Sequence, residues 1–167
     1  MCVTDDLLVE FREELKTTRR VFERIPADKL TWKPHEKSMT LGQLAMHVAE
    51  VPGSIAGMTA GDSFDIAKGH FTPSSPQVRD ELTSALNRSA EVVERTLKAA
   101  SEETSYAQWR LTRGDTVLMA VPRVVAWRSM MLNHWYHHRG QLSVYLRLLG
   151  VPLPPIYGPS ADENPFG

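Results

Sequence analysis

Helical periodicity constrains the fold of this chain more than any other feature. Four segments carry apolar residues at alternating steps of three and four, the repeat of an α-helix with one buried face. We expect these helices over about 4–25, from 40 onward, 76–100 and 122–149, and no segment has a convincing strand period. Four long helices with one apolar stripe each predict an all-α protein, a four-helix bundle in which residues 1–167 form a single domain.

Local signals predict where these helices begin and end. Thr40 and Gln43 have the spacing of a capping box, in which each side chain bonds to the backbone amide of the other residue. The other expected boundaries are Thr4 as the cap of the first helix, Ser75 with Pro76 at the start of the third, Pro122 at the start of the fourth and Gly150 after its end.

The segments between the helices are predicted from breaks in the periodicity. Pro52 has no amide hydrogen, so Pro52-Gly53 should kink or break the second helix. Residues 57–75 are expected to be a loop. Residues 101–121 form a long connection that allows a short hairpin. The tail from Val151 onward holds five prolines, and we expect it to be an extended, proline-rich segment lying over the bundle.

Composition and charge exclude several classes of function. A net charge of -1 gives no electrostatic attraction to nucleic acid or acidic membranes. No apolar run approaches the roughly 20 residues that a membrane span needs. Asp5 and Asp6 stand where a signal peptide would be apolar. Cys2 is the one cysteine and has no internal partner. We therefore expect a cytoplasmic protein with no membrane or nucleic-acid partner.

Three histidines are the strongest candidates for a functional site. His134 and His138 are four residues apart in the fourth predicted helix, which places both imidazoles on one face, one turn apart. His47 lies beside the apolar stripe of the second helix. Three imidazoles that converge could bind one divalent metal ion. The alternative is that each is a core histidine bonded to a carbonyl group, and the sequence leaves both interpretations open.

Other residues near this candidate site have simpler interpretations. His137 is rotated off the face shared by His134 and His138, so we expect it behind the ligands or exposed. Glu50 lies one turn from His47 and is a candidate proton acceptor, although a solvated glutamate is the simpler interpretation. The remaining expectations are surface positions for His35 and His70, solvated charges at Arg113, Asp115 and Arg139, and packing roles for Trp32, Trp109, Trp127 and Trp135.

Several strings of residues resemble one protein family. Residues 133–142, which read NHWYHHRGQL, resemble the DinB/YfiT-like superfamily of proposed metalloenzymes, and residues 44–50, 30–34 and 157–163 resemble further segments of it. The resemblance covers nearly the whole chain. It implies a bundle with an atypical helix order, frequent homodimers and metal ligands at His47, His134 and His138. Members with known activity include metal-dependent transferases and isomerases that use low-molecular-weight thiols.

The ligand set limits the chemistry without choosing a reaction. Three neutral imidazoles leave the full positive charge on the ion, which lowers the pKa of a bound water or thiol. Zinc and nickel both suit imidazole. A bound thiolate would make the protein a thiol transferase acting on a small electrophile, and a bound hydroxide would make it a hydrolase. A non-catalytic metal-binding or interaction domain is the third hypothesis. We also expect a homodimer, chiefly because the resemblance implies one, and because four tryptophans and several methionines need not all fit inside one small core.

Overall fold

Four long helices form the frame of the molecule in the computed structural model, which describes residues 2–69 and 74–166. The fourth is continuous from Arg123 to Leu148 but contains a π-helical segment. The helices are α1 (Val3–Glu23), α2 (Leu41–Met58), α3 (Arg79–Ala99), the short α4 (Glu102–Tyr106), and the fourth long helix, made of α5 (Arg123–Ala126), the π segment (Trp127–Asn133) and α6 (His134–Leu148). Single 3-10 turns cover Ala27–Lys29 and Ile66–Lys68.

A small sheet accompanies the helices, so the prediction of an all-α protein is wrong in this respect. Its strands are β1 (Ser63–Asp65), β2 (Gln108–Arg113) and β3 (Thr116–Pro122), in the order β1-β2-β3. β1 pairs with β2 in parallel, and β2 with β3 as an antiparallel hairpin with a bulge at Leu111/Thr112. The hairpin lies in the long connection after α3, where the sequence allowed a short hairpin. The predicted loop over 57–75 is corrected in its described part, which contains β1 and a 3-10 turn, because residues 63–65 pair with β2.

The order of the helices departs from a simple up-and-down bundle, because α2 and α3 run in the same direction. Gly42 near the start of α2 lies against Pro76, just before α3, and Gly53 further along α2 lies against Ser89 in α3. The connection between these two helices must therefore cross from one end of the bundle to the other. The β1 strand lies in this connection.

The fourth helix runs antiparallel to α2. Trp127 near its start donates from Nε1 to Thr59 Oγ1 just after α2, at 2.8 Å. Tyr145 near its end donates to the carbonyl of Met39, just before α2, at 3.4 Å. These two contacts place the middle of α2 opposite the start of α6, and so bring His47 to the level of His134.

The second helix is continuous through Pro52, so of the predicted kink or break, the break is wrong. Neighbouring α3 contacts this turn: the amide of Gly53 donates to Ser89 Oγ at 2.7 Å. A Cβ atom at residue 53 would lie 2.6 Å from the Ser89 Cα. The glycine thus permits a close approach of the two backbones, and the serine satisfies an amide in the turn that the proline disturbs.

Two of the predicted helix starts need correction. The capping box is confirmed, since the Gln43 amide donates to Thr40 Oγ1 at 3.1 Å and the Thr40 amide to Gln43 Oε1 at 3.0 Å. Pro122 precedes the fourth helix, and Gly150 follows it with a φ of 73°. The corrected starts are Cys2 as the N-cap of α1, with Thr4 buried inside the helix, and Val78 as the N-cap of α3 in place of Ser75.

Arg139 was expected to be a solvated charge and is instead buried, with 1% of its surface exposed. It is paired with the carboxylate of Glu14 in α1 and donates to Thr18 Oγ1 at 3.2 Å. It also donates to the hydroxyl of Tyr157 at 2.7 Å, which brings the C-terminal tail onto this network. Arg113 and Asp115 are exposed, as expected.

The tryptophans pack as expected. Trp109, Trp127 and Trp135 are fully buried and Trp32 is half-buried.

The C-terminal tail has no regular secondary structure, since residues 151–166 contain no helix or strand. Within the described ranges, no helix is long and apolar enough to cross a membrane.

Candidate metal centre

Three histidines from two helices meet at one place on the side of the bundle. His47 comes from α2, and His134 and His138 come from successive turns of α6. Each offers a ring nitrogen, and these nitrogens all lie within 4.8 Å of one another. All three side chains are half-buried. The arrangement can hold a metal ion, because the nitrogens surround a common point that a small ligand can reach from solvent.

The fourth helix sets the direction of two of these histidines. Their spacing of four residues places both rings on one face, and the π segment ends at Asn133, immediately before His134. A π segment inserts an extra residue per turn and therefore changes which face the following residues present. The buried Trp127 begins this segment and is anchored to Thr59. Helical periodicity alone did not predict the π segment.

Hydrogen bonds orient two of the three rings. Nδ1 of His138 lies 2.7 Å from Oε1 of Gln141, which can only accept. The ring of His134 donates to the backbone carbonyl of Met130, one turn earlier. His47 has no hydrogen bond to any residue in the described part of the chain. Each of these bonds uses the one N–H group of a neutral ring. The other nitrogen of each ring is then free to face the cluster.

The two oriented rings face each other. Nε2 of His134 and Nε2 of His138 are 2.7 Å apart, a hydrogen-bond distance at which the donor depends on the tautomers of the two rings. With the ring proton of His138 on Nδ1 toward Gln141, its Nε2 offers a lone pair to the cluster. A metal ion bound to both nitrogens would lie off the line that joins them, because each bond would be about 2.1 Å long.

Burial disfavours an additional proton on any of the three rings. Burial first, and then the charges of His138 and His134, lower the pKa of His47 to about 4. Burial also lowers the pKa of His134 and of His138. At neutral pH the three rings are therefore neutral, the protonation state that binds a metal. The donor set fits a divalent ion that accepts imidazole, and it does not identify the metal.

The other predicted polar residues lie outside the cluster. His137 is exposed, with its ring centroid 5.0 Å from that of His138. His35 is exposed, and its Nδ1 accepts from the amide of Lys37. His70 lies outside the described residues. The structure therefore brings together the three histidines on which the metal hypothesis depends and leaves His35 and His137 outside the cluster.

Glu50 lines a different surface. It lies in a groove of about 290 Å³ between α2 and α3, together with Ser54 and Arg88. Burial raises the pKa of its carboxyl group, and the positive charge of Arg88 opposes that rise. The catalytic role suggested for Glu50 stays a prediction.

Sequence reasoning missed the residues that orient the ligands. Gln141 is three residues after His138, so it lies on a neighbouring part of the same helix face, and this spacing was a usable signal. Met130 contributes a backbone carbonyl, which any residue possesses, so no sequence signal could have identified it.

Comparison with known proteins agrees with this architecture. The fold and the site together define the class of protein. It is a helical bundle in which α2 and α3 are parallel and a three-histidine cluster lies between α2 and α6. The chain belongs to the DinB family, whose model matches residues 1–164. The family resemblance noted in the sequence is thereby confirmed.

Individual relatives span nearly the whole chain. The uncharacterized protein YrdA of Bacillus subtilis (strain 168) is 24% identical over 162 residues, which cover 95% of this chain and 90% of YrdA. The uncharacterized protein YjoA of the same strain is 26% identical over 160 residues, which cover 94% of this chain and 97% of YjoA. Neither name states an activity.

Solved structures show the same fold. A DinB-like protein from Bacillus cereus ATCC 10987 aligns with a TM-score of 0.74 and 18% identity, over 92% of this chain and 97% of that one. The crystal structure of YjoA aligns with a TM-score of 0.69 and 22% identity, over 90% and 97%. A DinB family member from Exiguobacterium sibiricum 255-15 gives 0.65 and 20%, over 91% and 95%.

Proposed function

We propose that the protein is a divalent-metal-dependent enzyme in which His47, His134 and His138 hold the ion. The observation that carries the proposal is the convergence of one ring nitrogen from each histidine, all within 4.8 Å of one another. Burial lowers the pKa of all three rings, so they offer neutral imidazole to an ion. Zinc and nickel are the metals that we expect, because both accept neutral imidazole.

The protein supplies the position and the surroundings of the reaction. A divalent ion held by three neutral imidazoles would keep its charge and lower the pKa of a coordinated thiol or water. The histidines are half-buried, so a small molecule can reach them from one side while the bundle excludes water on the other. His134 and His138 are fixed in orientation before any ligand arrives, which reduces the cost of organising the site.

The substrate that we propose is a low-molecular-weight thiol, transferred to a small electrophile. Support comes from the family resemblance. Use of water in place of the thiol would make the same centre a hydrolase, and a centre that binds metal without catalysis would make the domain a binding module. We further propose a cytoplasmic location, with no membrane or nucleic-acid partner.

We also propose a homodimer, as the family resemblance implies. The tryptophans do not support it, because three of the four are buried within one chain and need no partner. Further support is the edge strand β3, which carries no charged residue from Thr116 to Pro122. Val117 and Leu118 in this strand are 53% and 47% exposed. Uncharged, exposed edge strands readily pair with another strand, and an antiparallel pairing of β3 with its own copy would close as a two-fold dimer.

Elemental analysis of the purified protein tests the metal, and a reaction panel tests the chemistry. We expect about one zinc or nickel ion per chain. The panel combines small thiols with electrophiles, with and without added metal, and includes ester substrates. Metal-dependent consumption of a thiol supports the transferase, and metal-dependent ester cleavage without thiol supports the hydrolase. Bound metal with no turnover in either assay would contradict the enzymatic proposal.

A further inference from the structure

We propose that Gln141 is a positioning residue that fixes the tautomer of His138, so that Nε2 of this histidine is free to bind an ion. The inference starts from the 2.7 Å contact between Gln141 Oε1 and His138 Nδ1. A carboxamide oxygen can only accept, so this contact places the single ring proton of neutral His138 on Nδ1. The lone pair then lies on Nε2, the nitrogen that faces His134.

The opposite orientation of the amide would close the site. If the Gln141 nitrogen faced Nδ1, it would donate there, and the ring proton would move to Nε2. That proton would point into the histidine cluster and occupy the position of the ion. Gln141 therefore decides whether His138 presents a lone pair or a proton to the centre.

Gln141 differs from the groups around the other two ligands. His134 is oriented by the backbone carbonyl of Met130, and His47 has no hydrogen bond to residues 2–69 or 74–166. Within these ranges, Gln141 is thus the one side chain that orients a ligand through a hydrogen bond. Partners of this kind hold the ring and raise its basicity, and their loss commonly costs about 10- to 100-fold in metal affinity.

The position of Gln141 argues against a packing role. Its side chain is exposed, and its only hydrogen bond within the described ranges is to His138. Glutamine and leucine have similar helix propensities, so Gln141→Leu should leave α6 intact. A change in the histidine centre of this variant would therefore report the lost hydrogen bond.

Two measurements test the proposal, and the first needs no metal. Long-range ¹H–¹⁵N correlation spectra of histidine-labelled, metal-free protein at about pH 7.5, where neutral imidazole dominates, report which ring nitrogen of His138 is protonated. We expect the Nδ1–H form in the native protein and in Gln141→Glu, which still accepts. In Gln141→Leu we expect a mixture of tautomers. Gln108→Leu, another exposed glutamine, is the control and should leave the His138 signals unchanged.

The second measurement is the affinity for Zn²⁺, by competition with a chelating dye. Gln141→Leu should bind about 10- to 100-fold more weakly, while Gln141→Glu and Gln108→Leu should bind within a few-fold of the native protein. This affinity measurement rests on the proposed metal function. An Nε2–H tautomer in the native protein, or an unchanged tautomer in Gln141→Leu, overturns the role of Gln141 even if zinc binds tightly. Failure of the native protein to bind zinc overturns the metal function, and the spectra still decide whether Gln141 sets the tautomer.

Discussion

The guanidinium of Arg139 lies 2.5 Å from the carboxylate of Glu14, and the two side chains are 1% and 14% exposed. This ion pair joins α6 to α1, and Arg139 directly follows His138 in the chain. The rings of Tyr136 and Tyr157 lie 5.4 and 5.3 Å from the guanidinium carbon. The pair therefore fixes the rotation of α6 about its axis, and with it the direction of the neighbouring ligand.

Replacing Arg139 with leucine should destabilise the protein by about 3–5 kcal/mol, because it leaves the largely buried Glu14 carboxylate without its cationic partner, with the Tyr157 hydroxyl still donating to it at 3.2 Å. Arg128→Leu is the matched control. Its partner Glu10 and Arg128 itself are 30% and 48% exposed, so its loss should cost at most about 1 kcal/mol. Urea denaturation of both variants measures the difference, and equal costs would contradict the importance of burial.

Replacing His134 with alanine should abolish stoichiometric metal binding while most of the helicity remains. Two ligands hold an ion far more weakly than three, and His134 supplies one of the two nitrogens that are 2.7 Å apart. His137→Ala should keep the native metal content, since His137 is exposed and outside the cluster. Elemental analysis with circular dichroism checks both variants. Equal metal content in all three proteins would refute the ligand assignment.

The metal-free protein should lose stability as the pH falls from about 6.5 to about 4. The pKa of folded His47 is about 4, below its ordinary value of 6.5, because burial disfavours the charged ring. Between these values the unfolded chain binds a proton that the folded chain does not, so acid favours unfolding. Above pH 6.5 this contribution is fully present. Urea denaturation at several pH values should show a smaller decline for His47→Gln than for the native protein.

Two glycines in α2 should respond to alanine in opposite ways. Gly53→Ala would place a Cβ atom 2.6 Å from the Ser89 Cα, which is backbone and cannot move alone. We expect a loss of about 1–3 kcal/mol from overpacking. Apart from its chain neighbours and its own helix backbone, a Cβ atom at residue 57 would meet no atom of the described residues within 4 Å, so Gly57→Ala should stabilise the helix by up to about 1 kcal/mol. Thermal denaturation distinguishes them, and a stabilised Gly53→Ala would contradict the close helix contact.

The proposed dimer should depend on the edge strand β3. Light scattering at tens of micromolar should give twice the chain mass of 18.8 kDa. Leu118→Lys should shift the protein toward monomer, because a charge on an edge strand opposes pairing. Val144→Lys, which changes a 57% exposed residue on α6, should remain dimeric. A monomer mass for the native protein would exclude the dimer at this concentration.

Much of the frame could be predicted from the sequence, because helix formation leaves local signals. The apolar repeat indicated the four long helices, and the Thr40–Gln43 capping box and Gly150 follow from bonds within a few residues of one another. The pair His134 and His138 was found for the same reason, since a spacing of four places two side chains on one face of any helix.

Other features depend on partners that are distant in the sequence. Strand β1 depends on β2, more than forty residues later in the chain, because the two strands pair in parallel. Beside Pro52, the amide of Gly53 donates to Ser89 of α3. Neither contact has a local signature, so reading along the chain predicted a loop around β1 and a kink or break at Pro52.

The sequence by itself determined the four helices and the three histidines that could meet. Only the tertiary structure decided that His47 reaches the other two, that Arg139 is buried, and that Gln141 and Met130 orient the rings. The physical reason is that helical periodicity arises from neighbours within two turns, whereas burial, ion pairing and ring orientation depend on which helix faces which. That choice is made by the packing of the whole chain.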